Sequence, residues 1–489
     1  MRLLAVIGVM VLALPVGAFA QSAPAEKSLP SGQEPLALES VLESSAKHFP
    51  AILEKLAERR AAAGKIEETQ GAFDLVFNTD AYDRVGGFWT GGEAETTVTQ
   101  PLRPLGATVY GGYRVSDGTL PVYEDQNFTN TGGEFKLGTY FSLLQDRAID
   151  DRRFAVDDAR LAYDQADLQV LATRIGIQHK ALIAYWRWVW SGRQLQVYEE
   201  LLRIAQKRQT GLEEEVRSGA RAEIFLVENR QNIARRQRLT VEARQQFLAA
   251  ANRLSFYYRD GKGDPVIPQE GRLPAISALQ DIESLLNTQE NNVARILEDR
   301  PELRVLRTRL ERARRRISLR RNDLKPELNL SFEISRDLGA IQEGGSSRDS
   351  TDTIIGLQFS VPLQRRQARG QLRQAQAELE ALQQRQRQVA DEIEIDIRNV
   401  LMELDMAEDI VDITRQEVEQ ARTLQQAERD RFAGGASDFF LVNVREETTA
   451  DARVRFYRAL LDTRIARANY DAAFLNLERL GLGPDAIPR

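Results

Sequence analysis

Residues able to do acid–base, nucleophilic or metal chemistry are sparse and scattered in this chain. Its 489 residues include two histidines, His48 and His179, and no cysteine. The histidines stand far apart, each inside a helical pattern, where a packing or surface role is expected. No glycine-rich phosphate loop, nucleophile elbow or metal-ligand spacing occurs. Without a thiol, disulfides, thiolate metal sites and a lipidated N-terminal cysteine are excluded. An enzyme is therefore not expected, and no catalytic, cofactor-binding or metal site is assigned.

Three clusters could carry binding instead. The basic run Arg312-Ala-Arg-Arg-Arg-Ile-Ser-Leu-Arg-Arg321 has the composition of an anion or nucleic-acid patch. It is interleaved with Ala313, Ile317 and Leu319 at helical spacing, so a solvated helix face is the favoured reading. Tyr185-Trp-Arg-Trp-Val-Trp190 could form a membrane-interface belt. Its distance from any strand favours packing between helices. The third cluster is a pair of glycine stretches, Glu215-Val-Arg-Ser-Gly-Ala-Arg-Ala222 and Arg431-Phe-Ala-Gly-Gly-Ala-Ser-Asp438. Gly219 and Gly435 supply the permissive backbone needed to end one helix and begin the next. Such tips are also exposed places where a partner can dock.

The elements that position these tips come in two copies. Residues 122–264 and 363–483 lack proline and read as long helix broken by the glycine stretch. Ala159, Ala162 and Ala166 in the first copy, and Ile393, Ile397, Val400 and Leu404 in the second, recur at three- and four-residue steps. Coiled-coil pairing is the expected state. At ~1.5 Å per residue each long helix reaches about 100 Å, with no globular core of that length to lie on. A shorter helical pattern precedes each copy, interrupted by Pro50 in the first and Pro301 in the second.

Alternating segments lie between the short and long helices. Leu328-Asn-Leu-Ser-Phe-Glu-Ile-Ser335 and Ile355-Gly-Leu-Gln-Phe-Ser-Val361 alternate without error, Phe135-Lys-Leu-Gly-Thr-Tyr-Phe-Ser-Leu143 nearly so, and Phe73-Asp-Leu-Val-Phe-Asn-Thr79 less clearly. Residues 80–134, rich in Gly, Thr and Tyr, read as an additional strand or an extracellular loop. The pattern fits tilted transmembrane strands and equally a soluble antiparallel sheet with one wet face. Four strands cannot close a barrel alone, and an open edge in hydrocarbon is costly, so a membrane reading requires closure by other subunits.

The N-terminus reads as a Sec-type signal peptide over 1–20, with basic Arg2, a short apolar run and Ala18-Phe-Ala20. A flexible leader over 21–35 follows. The first repeat is expected over 36–259 (helix, β segment 73–144, hairpin 145–259), a linker over 260–288, the second repeat over 289–483 (helix, β segment 326–361, hairpin 363–483), and a tail over 484–489. The formal charge of −6, with 28% charged and 7% aromatic residues, suits exposed helices and gives no pointer to nucleic acid.

This order of elements resembles the outer-membrane efflux protein family, the TolC-like exit ducts of tripartite pumps and type I secretion systems. The resemblance rests on the two glycine tips and on Phe359-Ser-Val-Pro-Leu363, which is similar to the family's Pro-Leu after the last strand. It implies a mainly α chain with transmembrane β. A homotrimer would form a twelve-stranded β-barrel, four strands per subunit, continued by a periplasmic α-helical barrel. It implies passive conduction across the outer membrane of a Gram-negative-type cell, with outer-membrane lipid around the barrel. Arg217, Gly219, Ala220, Gly435, Ala436 and Ser437 would meet a periplasmic adaptor coupled to an inner-membrane pump. Some relatives carry aperture acids just after the second tip, where this chain has Leu441 and Val444. The nearest candidates are Asp438, Glu446 and Glu447. Leu144 stands where Pro362 stands in the second repeat, and the long 80–134 segment is unusual for the family. The competing expectation is a soluble periplasmic coiled-coil adaptor or structural spacer.

Overall fold

The computed structural model describes residues 34–118, 128–275, 293–341 and 350–483. The expected signal peptide, most of the leader, part of the linker and the tail lie outside them.

Two short helices, α1 (Leu38–His48) and α2 (Pro50–Gln70), lead into four strands, β1 (Val76–Asp83), β2 (Gly91–Pro101), β3 (Thr108–Gly118) and β4 (Glu134–Ser142). The long helix α3 (Asp151–Arg217) and the returning α4 (Ile224–Ser255) complete the first half. The second half runs α5 (Val293–Asp299), α6 (Pro301–Asn322), β5 (Glu327–Asp337), β6 (Thr351–Ser360), α7 (Arg366–Ala433) and α8 (Phe439–Ala473). Pro50 and Pro301 each occupy the first turn of a helix, where the missing N–H costs no hydrogen bond. The 67-residue α3 starts at Asp150, whose carboxylate accepts the Arg153 N–H at 2.8 Å. Its counterpart α7 has 68 residues. Each long helix therefore spans about 100 Å.

Among the described residues all the strands form one antiparallel meander, β1 to β6 in sequence order, so the two halves share a single sheet through the β4–β5 pair. This corrects the expected strand count. The described residues supply six strands, because residues 80–134 contain β2 and β3, and the weak 73–79 pattern becomes a strand starting at Val76. The register places Phe135, Leu137, Phe332, Ile334, Ile355 and Leu357 on one face, all of them exposed. The opposite face carries Lys136, Gly138, Ser331, Glu333, Gly356 and Gln358. On that face the Tyr110 ring crosses Gly138 and its hydroxyl donates to Glu333 at 2.5 Å, tying β3 to β5 over β4. A Cβ at Gly138 would stand 2.4 Å from the ring, so the position requires glycine.

The main apolar core lies where α1, α3, α4, α7 and α8 meet, around Trp188, Leu195, Phe247, Leu254 and Leu460. Tyr185, Trp188 and Val189 are buried in it, which makes the aromatic run a packing element between helices. The basic run serves the other end of the bundle. Arg312 binds Asp158 of α3 through two hydrogen bonds of 2.7 and 2.8 Å, Arg315 reaches Asp157 at 2.9 Å and Arg316 reaches Glu378 of α7 at 3.2 Å. His179 lies between helices with Nε2 2.7 Å from Asn469 Oδ1, and burial holds its pKa below the ordinary value.

Candidate functional site: the paired hairpin tips

Both helical hairpins turn through the same backbone device. At the first tip the Gly219 N–H donates to Val216 O at 3.0 Å and the Ala220 N–H to Glu215 O at 2.9 Å. At the second the Gly435 N–H donates to Phe432 O at 3.1 Å and the Ala436 N–H to Arg431 O at 2.8 Å. These two bonds per tip are the Schellman pattern, which satisfies carbonyls that the helix end leaves free. It needs a left-handed residue, and φ is +74° at Gly219 and +76° at Gly435. A Cβ on either glycine would meet nothing within 4 Å. The glycines are therefore required by conformation, with open space around them.

Arg217, Gly219, Ala220, Gly435 and Ala436 are exposed. Arg217 pairs with Glu214 at 3.0 Å on a surface where both side chains are more than half exposed, a weak contact that leaves the guanidinium available. Ser437 is half-buried and donates its hydroxyl to Glu428.

All three candidate aperture acids have partners within the chain, and of the three only Glu446 is closed off from solvent. Asp438 caps α8, accepting the Leu441 N–H at 3.0 Å. Glu447 pairs with Arg235 of α4. Glu446 is the centre of a clamp, its side chain 0% exposed and bound by Arg208 of α3, by Arg236 of α4 at 3.1 Å and by Arg429 of α7 at 3.0 Å. Burial pushes the Glu446 carboxyl up, but the guanidiniums of Arg208, Arg429 and Arg236 outweigh it and hold the pKa below the ordinary 4.5. Four long helices converge on one carboxylate, so Glu446 cannot face a lumen. Its work is to bind the two hairpins together.

Between clamp and tips lies a small apolar cluster of Leu212, Leu226 and Phe439, flanked by Phe225 and Phe432. Arg221 of the first tip stacks over Phe432 of the second, 4.8 Å from the ring centroid. The two tips are thus one packed unit. Beside them Ile224, Val227 and Phe440 stand exposed at the starts of the returning helices. These residues escaped the sequence reading. The Phe439-Phe440 doublet was their signal, since adjacent helical positions cannot both face one core.

Residues 292–481, the second repeat, match the family model described as Outer membrane efflux protein. The second repeat is thus similar to that of the outer membrane efflux proteins. Among curated proteins no sequence matches the chain. Solved structures match its fold over nearly the whole length. A membrane protein from Pseudomonas aeruginosa is 15% identical with a TM-score of 0.65, covering 96% of this chain and 98% of that one. The Campylobacter jejuni CmeC outer membrane channel is 15% identical with a TM-score of 0.62, covering 92% and 90%. The outer membrane protein VceC of Vibrio cholerae is 17% identical with a TM-score of 0.61, covering 91% and 96%. The likeness of fold to these structures therefore extends through the first repeat as well. Among the described residues no cluster of His, Cys, Asp and Glu is suited to hold a metal.

Proposed function

We propose that this chain is the outer-membrane exit duct of a tripartite efflux pump or type I secretion system, conducting substrates passively from periplasm to exterior. The observation that carries the reading is the exposed apolar face of the sheet. Phe135, Leu137, Ile355, Leu357 and Phe359 are each more than half exposed, on strands of 8 to 11 residues. Strand lengths of about 9–11 residues and an apolar outer band are what a bilayer selects. Among the described residues no helix is long and apolar enough to cross a membrane. A soluble spacer would have to leave this face in water, a contiguous liability of the kind soluble proteins avoid.

Homotrimer formation is supported by two further unpartnered stripes. Val227, Val241 and Leu248 are exposed along α4 at multiples of seven residues, and Ile395, Met402, Met406, Ile410 and Ile413 along α7. Their spacing fits side-by-side packing of helices from neighbouring copies into a helical barrel. The exposed Arg217, Gly219, Ala220, Gly435 and Ala436, together with the half-buried Ser437, are the adaptor contact, with Ile224 and Phe440 adding apolar anchors. The duct performs no chemistry, and an inner-membrane pump supplies the energy.

Fractionation with detergent extraction and negative-stain imaging tests the reading. Recovery from the outer membrane as a threefold cylinder well over about 100 Å long is expected from the helix lengths. Recovery as an elongated soluble monomer or dimer would overturn it. Arg217→Glu should weaken adaptor docking and efflux while assembly is unchanged; full complementation of efflux would remove the tip assignment.

A further inference from the structure

We infer that the β1–β2 hairpin is the subunit join of the barrel: β1 of one copy pairs with β6 of the next, and three copies close an eighteen-stranded rather than a twelve-stranded wall. This rests on the membrane-barrel reading above and fixes its partner surface.

Twelve strands would require β3 to pair with β6 of a neighbouring copy. That edge is occupied, since all eleven residues of β3 are paired with β2, from Gly118 opposite Gly91 to Thr108 opposite Pro101. The free edges of the sheet are β1 and β6. Every residue of β1 is exposed, as are all of β6 except the half-buried Gly356. In hydrocarbon an unpaired edge leaves backbone groups without partners, at several kcal/mol each. An even strand number makes β1 and β6 antiparallel, so the same join repeats around a closed ring.

The sheet's own stagger selects a register. Passing straight across the strands, Val76 leads to Thr99, Tyr110, Gly138, Glu333 and then Ile354. Placing Ile354 opposite Tyr82 of the next copy brings all eight residues of β1 against residues 353–360 of β6. The stagger is then about one residue per strand, or ~3.3 Å of rise for each ~4.8 Å of spacing. That corresponds to a tilt of about 35°, within the range barrels adopt. The faces agree as well. Phe77 falls opposite Phe359 and Ala81 opposite Ile355 on the apolar side, Asn78 opposite Gln358 on the polar side. Barrels of 16–18 strands leave an open aqueous channel, so the outer mouth is of porin width.

The chain has no cysteine, so engineered pairs report cleanly. In outer membranes, the double variant Asn78→Cys with Gln358→Cys is oxidised and run on a denaturing gel. Covalent trimers are expected, with none from either single variant. Thr79→Cys with Leu357→Cys, on the lipid side of the same register, is the second pair and should behave alike. If neither pair links chains that are present in the outer membrane, the join is wrong. Linking instead through Gly112→Cys with Gln358→Cys would establish a β3–β6 contact and twelve strands. Absence of the protein from the outer membrane would overturn the membrane reading itself and the join with it, a result distinguishable from loss of the join alone.

Discussion

Replacing Glu446 by glutamine should loosen the hairpin tips from one another while leaving the sheet and the main core intact. The change keeps the side chain's size and removes one charge facing three guanidiniums. Arg236 is the costly one. Its side chain is 2% exposed, and its remaining partner is the Leu201 carbonyl at 3.0 Å. Arg208 and Arg429 are 20% and 38% exposed and can turn toward water, so their share is small. Removing one partner of a buried pair costs about 3–5 kcal/mol, because the other charge stays desolvated. Glutamine retains an acceptor oxygen, which places the expected loss near ~3 kcal/mol, or ~100-fold in an opening equilibrium.

Amide hydrogen exchange reads this segment by segment in the assembled protein. Residues 205–230 and 425–450 should exchange ~100-fold faster in Glu446→Gln, with strands β3 to β6 unchanged. Glu447→Gln is the control. Its pair with Arg235 has side chains 23% and 49% exposed, worth at most about 1 kcal/mol, or roughly fivefold. If the two variants behave alike, or if Glu446→Gln leaves tip exchange unaltered, Glu446 is not a clamp. A double variant, Arg236→Met with Glu446→Leu, should recover most of the protection, since well-packed apolar groups can replace a buried ion pair.

Acid should act on the same clamp. Because the folded-state pKa of Glu446 lies below the ordinary 4.5, its stabilisation is fully present above that value and is lost as pH falls through the folded pKa. Tip exchange in the wild type should therefore accelerate below about pH 4.5, and Glu446→Gln should abolish that part of the pH dependence. Gly435→Ala meets no steric obstacle but forces alanine to φ near +76°, costing about 1 kcal/mol at the tip, while Gly435→Asn costs less. Hydrogen exchange over 428–440 separates the two. Gly138→Ala drives a methyl into the Tyr110 ring and should cost about 1–3 kcal/mol in the sheet. It is read as a lower temperature of oligomer dissociation on a denaturing gel, and an unchanged temperature would refute the packing.

What was legible in the sequence were features whose cause is local. A left-handed turn needs Gly219 or Gly435 whatever surrounds it, and Pro50 and Pro301 punctuate equivalent helices, so the duplication could be read from spacing alone. β5 and β6 alternate cleanly because leucine, isoleucine and phenylalanine face one side throughout. β2 was hidden for the opposite reason. Its apolar-side residues include Ala94, Thr96 and Gln100 and its other face Glu93, Glu95 and Thr97, so little hydrophobic contrast marks the period. Only pairing with β3, which extends the apolar face through Val109, Tyr113 and Val115, makes β2 part of the same surface.

Glu446 fails to be legible for a different physical reason. Its position soon after the second tip suggested an acid open to a lumen, and nothing within ten residues on either side contradicts that. The groups that decide its state are Arg208 and Arg236, 238 and 210 residues earlier in the chain. They meet it only because α3 and α4 fold back beside α7 and α8. A charge of uncertain role in a long helix is therefore assigned by which hairpin lies against it, not by its own neighbourhood. The same logic separates the tips from the clamp. Exposed tip residues whose contacts are weak and local can still meet another protein, whereas a carboxylate with three internal partners is already committed. On the proposed reading, docking at the tips would fall to Arg217, Ile224 and Phe440, and Glu446 holds the platform on which they stand.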